Sequence, residues 1–149
     1  MREVSESKAE YVVLAELICD LTRQCCIKEE KFAIEFNLTH PEVRLLKLFA
    51  FSKNYTIKEL RDKLNISPGR ITHIISSLEE KQLIQRVRDI NDRRSIKIQL
   101  TSLTQPFIDN LLVSYERLHK GVSRYASGED MKKILFSLGV LNRVFDEWK

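Results

Sequence analysis

Cysteine, proline and glycine are all scarce in this chain of 149 residues, which has three cysteines, three prolines and four glycines. Few prolines and glycines favour long helices joined by short turns. Three cysteines, an odd number at spacings unlike a disulfide framework, are typical of a reducing cytoplasm. No apolar run approaches the ~18 residues that span a bilayer, and the first residues, MREVSESKAEY, lack the basic-then-apolar pattern of a signal peptide. We therefore expect a cytoplasmic protein with no membrane segment.

Residues that could carry catalysis or hold a metal ion are also missing from the sequence pattern. There is no glycine-rich phosphate loop and no credible pair of nucleophile and base. The three histidines (His40, His73 and His119) are scattered, and no Cys-x-x-Cys is present. We expect neither enzymatic activity nor a cofactor nor a metal site.

Positive charge is concentrated in the middle third of the chain. The net charge is +4, and 43% of the residues are hydrophobic, which is enough for a core. Residues 54–101 contain ten of the 25 lysines and arginines but only six of the 21 acids. The rest of the chain contains 15 residues of each sign. This distribution is expected of a middle segment that faces a polyanion.

Hydrophobic periodicity predicts long helices at both ends of the chain. Apolar residues in 8–29 recur at alternating spacings of three and four, as in an amphipathic helix. The same spacing runs through residues 105–148, with a cap-like break at Ser127–Asp130. Stripes of this kind are typical of helices that pack as a bundle.

The segment 39–101 between these helices predicts a compact module of three helices and a hairpin. Capping boxes at Thr39–Glu42 and Thr56–Glu59 begin the first two helices. Ser67, followed by Pro68, caps a third helix that extends to about Lys81. The helical spacing then gives way in 84–88 and in 95–101, where apolar and polar residues alternate strictly in the second segment, which predicts two strands joined by a polar turn. The fold class is therefore mainly α with a small antiparallel β-hairpin.

The second and third helices of this module form a helix-turn-helix arrangement. Small and hydroxyl residues on the third helix would allow close approach to a major groove, and a long arginine can read guanine O6 and N7. Gly69 lowers the stability of the helix by about 0.5–1 kcal/mol relative to alanine. Such a loss is understandable if the helix must approach DNA closely. An ordinary solvated polar face is the alternative. The candidate DNA contacts are Ser67, Gly69, Arg70, Thr72, His73, Ser76 and Ser77.

Residues 66–101, ISPGRITHIISSLEEKQLIQRVRDINDRRSIKIQLT, resemble the recognition helix and wing of the MarR family of transcriptional regulators. The most specific features are the passage from Leu78-Glu79 to Leu83-Ile84, Arg86, and Asp92-Arg93-Arg94 followed by Leu100-Thr101. Gln82 and Thr104 depart from the family pattern because each stands where a glycine is usual. The resemblance extends, through the order of helices, to nearly the whole chain.

The resemblance implies a winged helix-turn-helix lobe over residues 39–101 within a single domain, 1–149. It also implies a homodimer formed by residues 8–29 and 105–148, which binds double-stranded DNA at a pseudo-palindromic operator as a repressor. A small aromatic ligand would be its effector.

The wing is expected to add a second set of DNA contacts. By the same resemblance, Asp92 would hold the wing and orient arginines, and Arg94 would enter the minor groove. Arginines at a hairpin tip suit a narrow groove of negative potential, and a solvated charged turn is the alternative. Arg93 belongs to this tip, and Arg86 and Arg88 are assigned to phosphate contact or to support of the wing.

Two alternative functions remain open. A winged helix can serve as a protein-interaction module that does not bind DNA, but its exposed helix and wing tip would then be apolar or acidic. Some MarR-family members sense oxidants through a first-helix cysteine, which makes Cys19, Cys25 and Cys26 candidates for a thiol switch. The simpler interpretation is that Cys25 is a small apolar residue of the first stripe, with Cys19 beside it.

Overall fold

The computed structural model describes the backbone of residues 2–149 and the side chains from Ala9 onward. Contacts divide the chain into two compact units, one that ends at Ile108 and one that runs from Asp109 to Lys149. The described helices and strands are α1 (Arg2–Phe36), α2 (His40–Lys47), β1 (Asn54–Thr56), α3 (Ile57–Leu64), α4 (Pro68–Glu80), β2 (Ile84–Arg88), β3 (Ile96–Leu100), α5 (Gln105–Tyr125) and α6 (Gly128–Glu147), with short 3₁₀ helices at Leu48–Ala50 and Ser102–Thr104.

The first helix is longer than the predicted range of 8–29, because it continues to Phe36. Asn37 ends it in the left-handed region (φ 52°), a conformation that asparagine tolerates better than most residues. Rings in its last turns explain the extension: Phe32 and Phe36 pack edge-on against Phe107, with centroids 5.4 and 5.2 Å away. The stabilising partner thus lies about 70 residues further along the chain.

Each predicted cap begins a helix in the structure. Thr39 and Glu42 form a reciprocal capping box at α2, and Thr56 and Glu59 form another at α3. At α4 the Ser67 hydroxyl accepts the backbone N–H of Arg70 at 3.3 Å, with proline in the first turn. These side chains satisfy N–H groups that a helix N-terminus leaves without partners.

The hairpin belongs to a three-stranded antiparallel sheet in the order β1-β3-β2. Strand β2 pairs with β3 from Ile84 opposite Leu100 to Arg88 opposite Ile96, as the alternation predicted. Strand β1 was not predicted. It pairs with the other edge of β3, with Tyr55 opposite Ile98.

The core of the first unit lies between the helices and one face of this sheet. The isoleucines and leucine assigned to the buried side of α4 are buried, as expected for an amphipathic helix. Side chains that are fully or almost fully buried include Val43, Leu45, Leu46, Leu60, Ile71, Ile75, Leu78 and Ile98.

The second unit consists of most of α5 and all of α6. A capping box formed by Ser127 and Asp130 begins α6 at the predicted break. Many apolar side chains of this unit are exposed in the single chain, among them Leu118, Leu135, Phe136 and, just after α6, Trp148. Among the described residues, no helix combines the length and the apolar character needed to cross a lipid bilayer.

Candidate nucleic-acid interface

The N-terminal half of α4 presents a polar face to solvent. Ser67, Gly69, Arg70, Thr72 and His73 are all exposed, whereas the apolar residues between and after them are buried. A methyl group at Gly69 would meet no other atom within 4 Å. Since nothing inside the protein requires a glycine there, its small size matters only to a molecule that approaches from outside.

Ser76 and Ser77 differ from the rest of the candidate set because both are half-buried. The Ser77 hydroxyl donates a hydrogen bond of 2.6 Å to Oε1 of Glu42. The structure therefore directs Ser77 toward α2, and not toward the exposed face on which its prediction as a DNA contact depended. Its partner lies 35 residues earlier, which local periodicity could not reveal.

The turn of the hairpin is held by two aspartates. Asp89 accepts a hydrogen bond of 2.9 Å from the backbone N–H of Asn91 and pairs with Lys97 at 2.6 Å. The hydrogen bond from the Lys97 ammonium is the main reason that the pKa of Asp89 is below its usual value. Asp92 Oδ1 accepts the backbone N–H of Arg94 at 3.0 Å. Asp92 therefore fixes the backbone course of the tip.

The tip exposes two arginines and one apolar side chain. Arg93 and Arg94 are exposed, and Ile90 is 96% exposed. Ile90 was not among the residues expected at this interface, although an isoleucine in an otherwise polar turn was a visible signal. Apolar side chains of this size can contact the walls of a minor groove.

The two arginines of β2 have different surroundings. Arg86 forms a bidentate contact with Glu79 of α4, with Nε 2.8 Å from Oε1. Its guanidinium therefore ties the hairpin to α4, which matches wing support more closely than phosphate contact. Arg88 is exposed at the end of the strand, next to the tip.

The two departures from the family pattern have local explanations. Gln82 follows α4 with φ 60°, the conformation for which glycine is usual. Thr104 is fully buried, and its hydroxyl donates a hydrogen bond to the carbonyl of Leu83. Its side chain therefore contributes a contact that glycine could not make.

The three cysteines are all exposed on α1. Cys25 shares this exposure with the leucines of the same stripe, such as Leu14 and Leu21. Among the described residues, no group of three or more His, Cys, Asp or Glu side chains is placed to hold a metal ion.

Comparison with known proteins finds matches among transcriptional regulators. The sequence profile of the MarR family matches residues 38–96, from the start of α2 to the beginning of β3. The organic hydroperoxide resistance transcriptional regulator of Bacillus subtilis (strain 168) is 26% identical over 140 residues, which cover 91% of this chain and 94% of that protein. The helix-turn-helix segment of this chain therefore matches the MarR family, and the two sequence relatives are transcriptional regulators. A second relative, the HTH-type transcriptional regulator MgrA of Staphylococcus aureus, is 24% identical over 115 residues, or 77% of each chain.

Solved structures show the same fold. Streptococcus pneumoniae FabT, in complex with DNA, has a TM-score of 0.78 at 18% identity, with 93% of this chain and 99% of FabT covered. S. aureus MepR in its DNA-binding conformation has a TM-score of 0.74 at 16% identity, with 88% and 97% covered. The fold is thus a winged helix-turn-helix, in which α4 takes the position of the recognition helix and the β2–β3 hairpin takes that of the wing.

Proposed function

We infer that this protein is a member of the MarR family and a DNA-binding transcriptional regulator, whose recognition helix enters a major groove while its wing reaches the adjacent minor groove. One observation carries the inference: Arg70, Arg93 and Arg94 are exposed, and no described acid lies within ion-pair distance of them. Other cations of the lobe, such as Lys81 and Arg86, are paired with carboxylates. The unpaired arginines stand where a duplex would meet the lobe.

The exposed face of the lobe does not suit a protein-interaction module. Such a module would present mainly apolar or acidic groups on the helix and the wing tip. This chain presents hydroxyls and Arg70 on the helix, and two arginines beside the single apolar side chain of Ile90 at the tip. The relatives are named as transcriptional regulators, which supports the same function for this chain.

We propose further that the protein acts as a cytoplasmic homodimer and represses transcription at a pseudo-palindromic operator. Residues 8–29 and 105–148 would form the interface, because their exposed apolar side chains are too numerous for a single chain in water. Tyr11, Leu17 and Leu21 of α1, for example, are 57–62% exposed. Two-fold symmetry would place the half-sites about one helical turn of DNA apart. A small aromatic effector, which the family resemblance implies, is proposed with it.

A thiol-based oxidant sensor is the second candidate. It is favoured by the three exposed cysteines on α1 and by the relative named for organic hydroperoxide resistance.

A gel shift with the DNA upstream of the protein's own gene tests DNA binding. We expect a retarded complex that a scrambled duplex of equal length does not compete away, and that weakens steeply with salt because phosphate contacts release counterions. Replacing Arg93 and Arg94 with alanine should weaken the complex. Lys132→Ala, which removes one positive charge from α6, is the control and should not. Equal affinity for the upstream and scrambled duplexes would contradict a specific regulator.

A further inference from the structure

A buried carboxylate connects α2 to the recognition helix. Glu42 is 1% exposed. Its Oε1 accepts a hydrogen bond of 2.6 Å from the Ser77 hydroxyl, and its Oε2 accepts one of 2.8 Å from Lys81 Nζ. Oε2 also accepts the backbone N–H of Thr39 at 2.8 Å, within the capping box of α2. Both carboxylate oxygens are thus occupied, and two of the three donors come from the C-terminal end of α4.

The carboxylate is charged when it makes these contacts. Burial by itself raises the pKa of Glu42, but the hydrogen bonds from Lys81, Ser77 and Thr39 together lower the pKa below its ordinary value. A buried charge of this kind is tolerated only while its partners stay in place. Any movement of α4 that breaks the contacts is therefore strongly opposed.

Directional bonds matter here because the packing of α4 against the core is apolar. The helix end also makes polar contacts through Glu79 to Arg86 of β2 and through Lys81 Nζ to the Asn37 carbonyl at 3.2 Å. Ile71, Ile75 and Leu78 hold α4 against the core. Hydrophobic burial is non-directional, so it fixes how deeply a helix is buried better than it fixes the rotation of the helix about its axis. Ser77 and Lys81 are four residues apart and lie on one side of the helix end. Two hydrogen bonds from one side of α4 to a single fixed carboxylate define both the rotation of the helix about its axis and its tilt.

We propose that Glu42 is a positioning residue for DNA recognition, which fixes the orientation of α4 and hence the direction of its exposed N-terminal face. This rests on the proposed function. Arg70 lies seven residues before Ser77, about 10 Å along the axis at 1.5 Å per residue. A tilt of about 10° at the anchored end would therefore displace the reading end by about 2 Å, which is more than a hydrogen bond to a base edge tolerates.

The chain contains a matched control at Glu59. Thr56 and Glu59 form the same kind of capping box at α3: the Thr56 N–H donates to Glu59 Oε2 at 2.7 Å and the Glu59 N–H donates to Thr56 Oγ1 at 3.1 Å. The hydrogen bonds of the Glu59 carboxylate stay within its own cap, and Glu59 is exposed. Glutamine serves in capping boxes as glutamate does. E42Q and E59Q therefore differ in the contact with α4 and not in the cap.

The test compares wild type, E42Q and E59Q on two DNA probes, a duplex selected by the wild type from a random library and its scrambled counterpart. We expect E42Q to bind the selected duplex about tenfold more weakly than wild type does, which is the equivalent of one lost base contact. Its affinity for the scrambled duplex should equal that of wild type. E59Q should match wild type on both. S77A, which removes one bond and no charge, should lose selected-duplex affinity in the same direction and keeps the test valid if E42Q does not fold.

Hydrogen exchange of the free proteins supplies a readout that does not depend on DNA. We expect faster amide exchange across residues 68–81 in E42Q and not in E59Q. If the wild type selects no duplex, the proposed function fails, and exchange alone decides whether Glu42 holds α4. The proposal would be overturned if E42Q and E59Q exchanged amide hydrogens across residues 68–81 at the same rate. It would also be overturned if E42Q bound the selected duplex as tightly as wild type, or if E42Q lost the same affinity for both duplexes.

Discussion

Removal of the Asp92 side chain should weaken DNA binding, although it removes a negative charge from a loop that we propose faces DNA. The Asp92 carboxylate accepts a hydrogen bond of 3.0 Å from the backbone N–H of Arg94, and the backbone carbonyl of Asp92 accepts one of 2.9 Å from the N–H of Ser95. A side-chain bond of this type closes a turn locally. Asp92→Ala deletes the acceptor, so that the tip loses its fixed course and Arg94 loses its direction toward the groove.

Two opposing effects of Asp92→Ala can be compared by magnitude. One hydrogen bond contributes about 0.5–1.5 kcal/mol net, which is about two- to tenfold in the dissociation constant. Two unit charges about 10 Å apart in water interact by about 0.4 kcal/mol, and physiological salt screens this further because its Debye length is about 8 Å. The loss of orientation therefore exceeds the relief of repulsion, and we expect a net loss of affinity.

Asp92→Asn separates the two effects because it keeps a side-chain oxygen and removes the charge. Salt titrations of binding to one selected duplex should give weaker binding for Asp92→Ala, and binding at least as tight as wild type for Asp92→Asn. Arg94→Ala should also weaken binding, and the double variant with Asp92→Ala should lose less than the sum of the single losses. If Asp92→Ala binds more tightly than wild type, Asp92 does not position the wing.

Four further predictions concern assembly, base reading, redox response and stability. Sedimentation should show a dimer at micromolar concentration, since a monomer would leave the apolar stripes of α1 and α6 in water; a monomer would refute the proposed interface. Arg70→Ala should weaken specific binding by about 1–3 kcal/mol and relax sequence preference at one base pair of each half-site, whereas equal losses on specific and random DNA would reduce Arg70 to a phosphate contact. Peroxide should release DNA from wild type no more than from a triple serine variant, because we interpret Cys25 as a small apolar residue of the first stripe, with Cys19 beside it. Release confined to wild type would establish a thiol switch at Cys19, Cys25 or Cys26. Gln82→Gly should raise the thermal unfolding midpoint, because glycine adopts the left-handed conformation of Gln82 (φ 60°) without strain. After the entropic cost of glycine, the free energy of unfolding should rise by up to about 1 kcal/mol. A lower midpoint would contradict this account.

Local signals made most of the fold predictable from the sequence. The start of α4 follows from Ser67 and Pro68, whose capping roles depend on their immediate neighbours. The sides of the helices follow from the spacing of apolar residues. Strand β1 could not be predicted in this way, because three residues are too few to show alternation. Its pairing depends on Tyr55 lying opposite Ile98, far along the chain.

The polar contacts of the candidate site were harder to predict, for a different physical reason. Periodicity predicts the side of a helix or strand on which a polar residue lies, but not whether a carboxylate already occupies its donors. The excess of ten cations over six acids in 54–101 is therefore only an average over the lobe. Lys81, Arg86 and Lys97 are each offset by a carboxylate in the structure. Those pairs tie the recognition helix and the wing to the rest of the lobe. We therefore propose that DNA is recognised by cations without an ion-pair partner among the described residues, such as Arg70, Arg93 and Arg94.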